Sequence, residues 1–361
     1  MKKSFDEVFE DCTKFGTKIK TDEYHETGRH LIIDQGQSEI AGYTDLEEGV
    51  FNAVPAIIFG DHTRVVKYID TPFFLGADGV KVLRSRFIDA NYRYLYYALK
   101  NARIPNTGYS RHYKWLKELE IEYPDMGEQV QIVSILDKTA AVIDERQQEL
   151  QKLDNFIKAR FVEMFGDPIS NPMGWSKEKT ENHIDLLSGF PFQSEQYVDS
   201  GVNICGGLII MPQRIQWEEC KHWPSVKGFE EYLLEEGDIV MALDRPWISE
   251  GFKIAQIDIE HLPALLIQRT ARIRGIDIVQ EYLYYCFICG GFDKHSNVTG
   301  SLVPHISAKD IRSFEIMLPP IDLQNQFAAF VRQVDKSKSE VQKALDKTQL
   351  LFDSLMQQYF G

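Results

Sequence analysis

One stretch of this 361-residue chain occurs twice, and the repeat limits the folds open to it more than any other feature. Shifted by 195 places, residues 124–166 fall without a gap on residues 319–361. Both copies open on proline and carry a Gln-x-Gln (Gln129 and Gln131; Gln324 and Gln326). Each then runs without proline or glycine to a closing Phe-Gly. Self-similarity at a fixed offset dictates architecture before any local propensity does.

Inside each copy the apolar positions alternate at spacings of four and three, the pattern of a long helix with one apolar seam. In the second copy the seam is Phe327, Val331, Val334, Lys338, Val341, Leu345, Thr348, Phe352, Leu355 and Tyr359, eight of ten apolar. In the first it is Ile132, Leu136, Thr139, Ile143, Arg146, Leu150, Leu153, Ile157, Arg160 and Met164, seven of ten apolar. Each copy predicts a helix of about 35 residues, about 50 Å long at the usual helical rise. Two such seams in one chain are most simply buried against each other; packing of each helix on its own domain is the alternative. Arg146, Arg160 and Lys338 interrupt the seam without a reason visible at this level.

A 43% apolar chain of this length fills about two domains. It contains no run of eighteen apolar residues, and its first residues lack the apolar stretch of a signal peptide. Five cysteines without framework spacing fit a reducing compartment, so a cytoplasmic protein with no membrane contact is expected. A net charge of −14 opposes nucleic-acid binding at face value. The acid is spread along the chain, so any phosphate-binding surface has to be local.

Taken in order, residues 1–123 form a first globular unit with strands expected at 56–59, 65–68, 73–75 and 80–83 and a helix at 91–100. The first repeat copy, 124–166, follows and ends at Gly166, a residue suited to the left-handed position after a helix. Residues 167–174, rich in proline and glycine, read as a linker. Residues 175–318 form a second globular unit, and 319–361 are the second copy. The two units share an order of elements. Residues 175–179 match 4–8, 239–243 match 56–59, 253–257 match 65–68, 271–274 match 80–83, and Tyr282-Leu-Tyr-Tyr285 matches Tyr94-Leu-Tyr-Tyr97. The ungapped match between the helices, against the weak match between the units, suggests a shared role for the helices and different ligands for the units.

Two acid-free loops occupy equivalent places. Residues 100–117 (KNARIPNTGYSRHYKWLK) carry Arg103, Arg111 and Lys114 with Thr107, Tyr109 and His112 between them. Cations neutralise phosphates, hydroxyl and amide groups reach base edges, and aromatic rings stack on bases. Residues 294–309 (KHSNVTGSLVPHISAK) carry Lys294, His295, Asn297, Thr299, Ser301 and His305. His62 and Arg64, and Arg245 and Trp247, follow matching strands, where a rigid element can hold a reading side chain. Solvated surface turns account for the same residues more plainly. Cys286 and Cys289 form a C-x-x-C inside an apolar run, which reads as core rather than metal or redox chemistry. There is no P-loop, G-x-G-x-x-G, G-x-S-x-G or H-E-x-x-H, so no catalytic and no metal residue is assigned.

Two unlike αβ units, each followed by one copy of the repeated long helix, resemble the specificity subunit of type I restriction–modification enzymes over essentially the whole chain. The helix openings YPDMGEQVQI (123–132) and LPPIDLQNQF (318–327) look like the family's P-P-x-x-E-Q-x-x-I pattern. Phe165-Gly-Asp-Pro168 and residues 236–243 (EGDIVMAL) are similar to it too. Asp125 replaces the second proline of the first copy, and Leu323 and Gln324 stand where Glu128 and Gln129 stand. The resemblance implies an α+β fold of two mixed αβ target-recognition domains joined by two long antiparallel coiled-coil helices, an internal pseudo-twofold repeat. It implies double-stranded DNA as ligand, each domain reading half of a bipartite target. The helices would set the spacing and dock methyltransferase (modification) subunits, with restriction/translocase subunits beyond them. Glu128, Gln129, Gln131, Gln324 and Gln326 are the candidate docking positions. No cofactor is expected in this chain; S-adenosylmethionine, ATP and magnesium would sit on the partners, leaving a non-catalytic subunit. A stand-alone enzyme acting on nucleic acid and a coiled-coil interaction protein without a DNA role are the rival readings.

Overall fold

The computed structural model describes residues 1–76, 79–105, 108, 110–296 and 305–361. Two compact units emerge: Met1–Gln147 with Gln342–Gly361, and Gln148–Val341. Two 40-residue helices, Met126–Phe165 and Ile321–Phe360, each give one part to each unit. All twenty predicted seam positions are buried or half-buried. The two starts are built alike, because Gln129 Nε2 donates to the Pro124 carbonyl and Gln324 Nε2 to the Pro319 carbonyl, each at 2.9 Å. The first helix stops where Gly166 turns left-handed at φ +80°.

In the first unit a four-stranded antiparallel sheet runs in the order Phe9–Asp11, Val80–Ser85, Ala56–Gly60, Val66–Ile69. The Ala56–Gly60 strand is buried on both faces, which is why it reads as an unbroken apolar run. Ile57 and Phe59 face a core shared with the Tyr92–Lys100 helix and with Ile132, Leu136, Phe352 and Met356 of the long helices. Ala56 and Ile58 face the other way, onto a core with Ile33, Phe73 and Leu75. That second core lies beneath a three-stranded sheet ordered Gly42–Thr44, His30–Ile33, Phe73–Leu75, whose last pair is parallel. Lys2–Ser4 pairs with Glu120–Glu122, the strand that leads into the long helix.

The second unit repeats this plan. Its four-stranded sheet runs Ile184–Ser188, Thr270–Gly275, Ile239–Ala242, Ile254–Gln256. Its three-stranded sheet runs Lys221–Trp223, Val202–Cys205, Ala264–Leu266, again ending in a parallel pair. Lys177–Lys179 pairs with Glu315–Met317 ahead of the second long helix. By this pairing the counterpart of Lys177–Lys179 is Lys2–Ser4, so the expected match of 175–179 with 4–8 is corrected by four residues; short polar runs carry no register of their own. The helix Gln280–Cys289 stands where Tyr92–Lys100 stands, and Tyr282 packs on Phe161 and Phe165 of the first long helix. Cys286 is buried, and burial pushes the Cys289 thiol up to about 11, opposite to what a reactive thiol needs.

Ion pairs join these short helices to the long ones. Arg93 Nη2 lies 2.5 Å from Asp137 Oδ1, and the Tyr97 hydroxyl donates to the same oxygen at 2.6 Å. At the corresponding places of the second unit Glu281 pairs with Arg332, the charges reversed. The residues that interrupt the seam are also answered. Arg146 donates to the Ala344 carbonyl and the Thr348 hydroxyl in the first unit. Lys338 lies 2.5 Å from Asp154 in the second, and Arg160 binds Glu163 at 2.8 Å while facing the Phe330 ring. The long helices therefore run antiparallel within each unit, with polar contacts where the apolar pattern breaks.

Candidate nucleic-acid interface

In the first unit the turn after Ala56–Gly60 and the acid-free loop meet at one end of the four-stranded sheet. Asp61, 5% exposed, holds them together. Its carbonyl accepts from His112 N at 2.8 Å and from His112 Nδ1 at 3.0 Å, and its Oδ1 accepts from Tyr113 N at 2.7 Å. The His62 ring nitrogen Nδ1 lies 3.2 Å from the Ser110 carbonyl, and Arg64 Nη1 donates to the Ile104 carbonyl at 3.3 Å. Gln35, just past the buried strand His30–Ile33, joins in: its Oε1 accepts from His62 N and its carbonyl from the Thr63 hydroxyl. Arg103, Arg111 and Lys114 are exposed around this junction. Arg103 reaches Gln357, and the Lys114 ammonium lies over the Trp115 ring.

The second unit brings the equivalent connections to the equivalent end. Arg245 follows Ile239–Ala242, and His305 bridges to Asp244 while Ile306 N donates to the Leu243 carbonyl at 2.8 Å. Trp247 is half-buried, its ring stacked on Phe252 at 5.2 Å and 17°. A cleft opens here, lined by Gly207, Leu208, Asp244, Arg245, Lys253, Ile267, Gln268, Arg269 and His305. Gly207 occupies the place of Gln35 at the end of the corresponding strand, and its carbonyl accepts from the Lys253 ammonium. Both turns put an arginine in the left-handed region, Arg64 at φ 64° and Arg245 at φ 45°.

Several expected residues take other roles. His112 is 1% exposed and fastens the loop to Asp61, so it is not a surface contact. His295 turns inward, its Nε2 3.2 Å from the Asp310 carbonyl and 3.1 Å from the Ser313 hydroxyl, its ring over Phe292. Lys294 next to it is exposed. Gln129 and Gln324 are 1% and 4% exposed and bind backbone at the helix starts, which removes them from any outward docking face. Glu128, Gln131 and Gln326 remain exposed. Thr107, Tyr109, Asn297, Thr299 and Ser301 lie outside the described residues. Sequence reasoning missed Gln35, Lys253, Gln268 and Arg269, which sit at strand ends or turns with no local signature. No cluster of metal-ligating side chains occurs among the described residues, and no helix among them is long and apolar enough to cross a membrane.

The chain is similar to known proteins. The family described as Type I restriction modification DNA specificity domain matches residues 1–155 and 225–349. The type I restriction enzyme EcoR124I/EcoR124II specificity subunit of Escherichia coli is 25% identical over 370 residues, covering 94% of this chain and 87% of that protein. The type I restriction enzyme MjaVIII specificity subunit of Methanocaldococcus jannaschii is 25% identical over 286 residues, covering 70% of this chain and 67% of that one. A third, the EcoAI specificity subunit of Escherichia coli, is 29% identical over 177 residues; the match spans 47% of this chain and only 29% of its own length. The crystal structure of the S subunit of a type I restriction-modification system from M. genitalium superposes with a TM-score of 0.57. Its sequence is 17% identical, and the match covers 100% of this chain and 96% of that one.

Proposed function

Since the chain belongs to the family of type I restriction–modification DNA specificity subunits, we propose that its two globular units each read one half of a bipartite DNA target. The long helices set the unspecified gap between the halves and present Glu128, Gln131 and Gln326 to methyltransferase subunits. Restriction/translocase subunits join beyond these. S-adenosylmethionine, ATP and magnesium belong to the partners, this chain is non-catalytic, and the complex works in the cytoplasm.

One observation carries the reading. Two units of one topology bring the same connections to the same sheet end and line it with different side chains: His62, Arg64, Arg103, Arg111 and Lys114 in the first, Arg245 and His305 in the second. A shared scaffold with divergent edges is what two readers of different short sequences require. The acidic total of −14 is compatible with this, because the cations gather at these edges and the partners can supply further phosphate contacts.

The test is the methylation motif recorded in cells that express the chain with its methyltransferase partner. Replacing residues 175–318 by the corresponding segment of another family member is expected to change one half-site only. A change in both halves, or no sequence preference at all, refutes the reading.

A further inference from the structure

The cleft of the second unit holds more positive charge than its acids balance. Among its described lining residues are three cations, Arg245, Lys253 and Arg269, and a single carboxylate, Asp244. Asp244 is spoken for, because it pairs with Arg269. Lys253 is only 6% exposed, and its ammonium donates to the Gly207 carbonyl. Burial, followed by the nearby Arg245 charge, pushes its pKa down. A buried ammonium beside a guanidinium is a poor arrangement on its own and a good one around an anion.

Arg269 is arranged differently. Its side chain is 75% exposed, yet it is aimed: its backbone sits at φ 64° and Asp244 binds its Nη1. A non-glycine residue in this region stores strain that the surroundings must impose, a feature that gathers where a side chain has to be positioned. Binding through one nitrogen leaves the rest of the planar fork available. The two acceptors of a guanine major-groove edge, O6 and N7, match that fork.

We propose that this cleft is the second unit's DNA contact, in which Lys253 and Arg245 hold one backbone phosphate while Arg269, positioned by Asp244, reads a guanine. The inference rests on the DNA-reading function above and adds the residues and the kind of base. Asp244 is a positioning residue, since it acts through Arg269.

The experiment uses the full chain in complex with its methyltransferase partner, with motif sequencing and salt-titrated binding to duplex carrying the wild-type motif. Arg269→Gln is expected to relax one base pair of one half-site, lowering discrimination about 5- to 150-fold, while the other half-site stays strict and reports an intact fold. Asp244→Asn is expected to relax the same base pair and leave the salt slope unchanged. Lys253→Met is expected to weaken binding to all sequences alike and reduce the slope of log affinity against log salt by about 1. An unchanged motif in Arg269→Gln, or an unchanged slope in Lys253→Met, overturns the inference while the wild-type preference keeps the DNA-reading function standing. A wild-type complex without preference overturns that function itself.

Discussion

Asp137 joins the first globular unit to the long helix, and its removal has a calculable cost. Its Oδ1 accepts from the Tyr97 hydroxyl at 2.6 Å and faces Arg93 at 2.5 Å. Tyr97 is 2% exposed, so Asp137→Ala strands a buried hydroxyl, which costs about 1–3 kcal/mol. The ion pair is more than a third exposed on both sides, at 37% and 38%, and solvent screening limits it to about 0.5–1 kcal/mol. Asp137→Ala should therefore destabilise by about 1.5–4 kcal/mol. Asp137→Asn keeps an acceptor for Tyr97 and should lose only about 0.5–1 kcal/mol. Tyr97→Phe combined with Asp137→Ala should cost less than the two single changes added, because the stranded donor is gone. A chain of two units has no single unfolding free energy, so amide hydrogen exchange of the Tyr92–Lys100 helix is the suitable measure. The predicted loss corresponds to exchange about 10- to 1000-fold faster in Asp137→Ala. If Asp137→Asn accelerates exchange as much as Asp137→Ala, the tyrosine bond is not the main term and the reasoning fails.

Other consequences can be checked independently. Phe161, fully buried against Phe165, Tyr282 and Phe327, should cost about 3–5 kcal/mol on change to Ala, seen as earlier denaturant melting of the second unit. Arg111→Ala should weaken DNA binding and flatten its salt dependence by about one phosphate contact; an unchanged slope removes Arg111 from the interface. Inserting four residues near Gln148, about one helical turn, should lengthen the unspecified gap of the methylated motif, and an unchanged gap in the sequenced methylome contradicts helix length as the ruler. Burial pushes the Asp11 carboxyl up, but hydrogen bonds from Thr13 and Lys81 outweigh this and leave it below its ordinary value. Its stabilisation is thus complete above the usual aspartate range, near 3.9, and is lost as pH falls through the lowered value. Acid denaturation of Asp11→Asn should show a shallower pH dependence in that window.

The repeat, the two long helices and the shared order of elements in both units were legible because they rest on periodicity, and periodicity is a local property of a chain. All of the predicted seam positions turn inward for that reason, including Arg146 and Lys338, although their partners Thr348 and Asp154 could not be named from spacing. Polar residues were the harder part. Gln129 and Gln131 look alike in the sequence, yet one binds the Pro124 carbonyl out of solvent and the other is exposed, because two residues turn a helix by more than half a circle. His112 looked like a loop contact and is a buried fastening, since its fate depends on Asp61, 51 residues away.

The sequence by itself therefore determined the two long helices and the face each buries, while the structure shows that the other helix and the globular cores bury it together. Tertiary structure alone decided the cleft proposed as the second unit's DNA contact, because residues 207, 244, 253, 269 and 305 come together only when strands from separate parts of the chain pair in register.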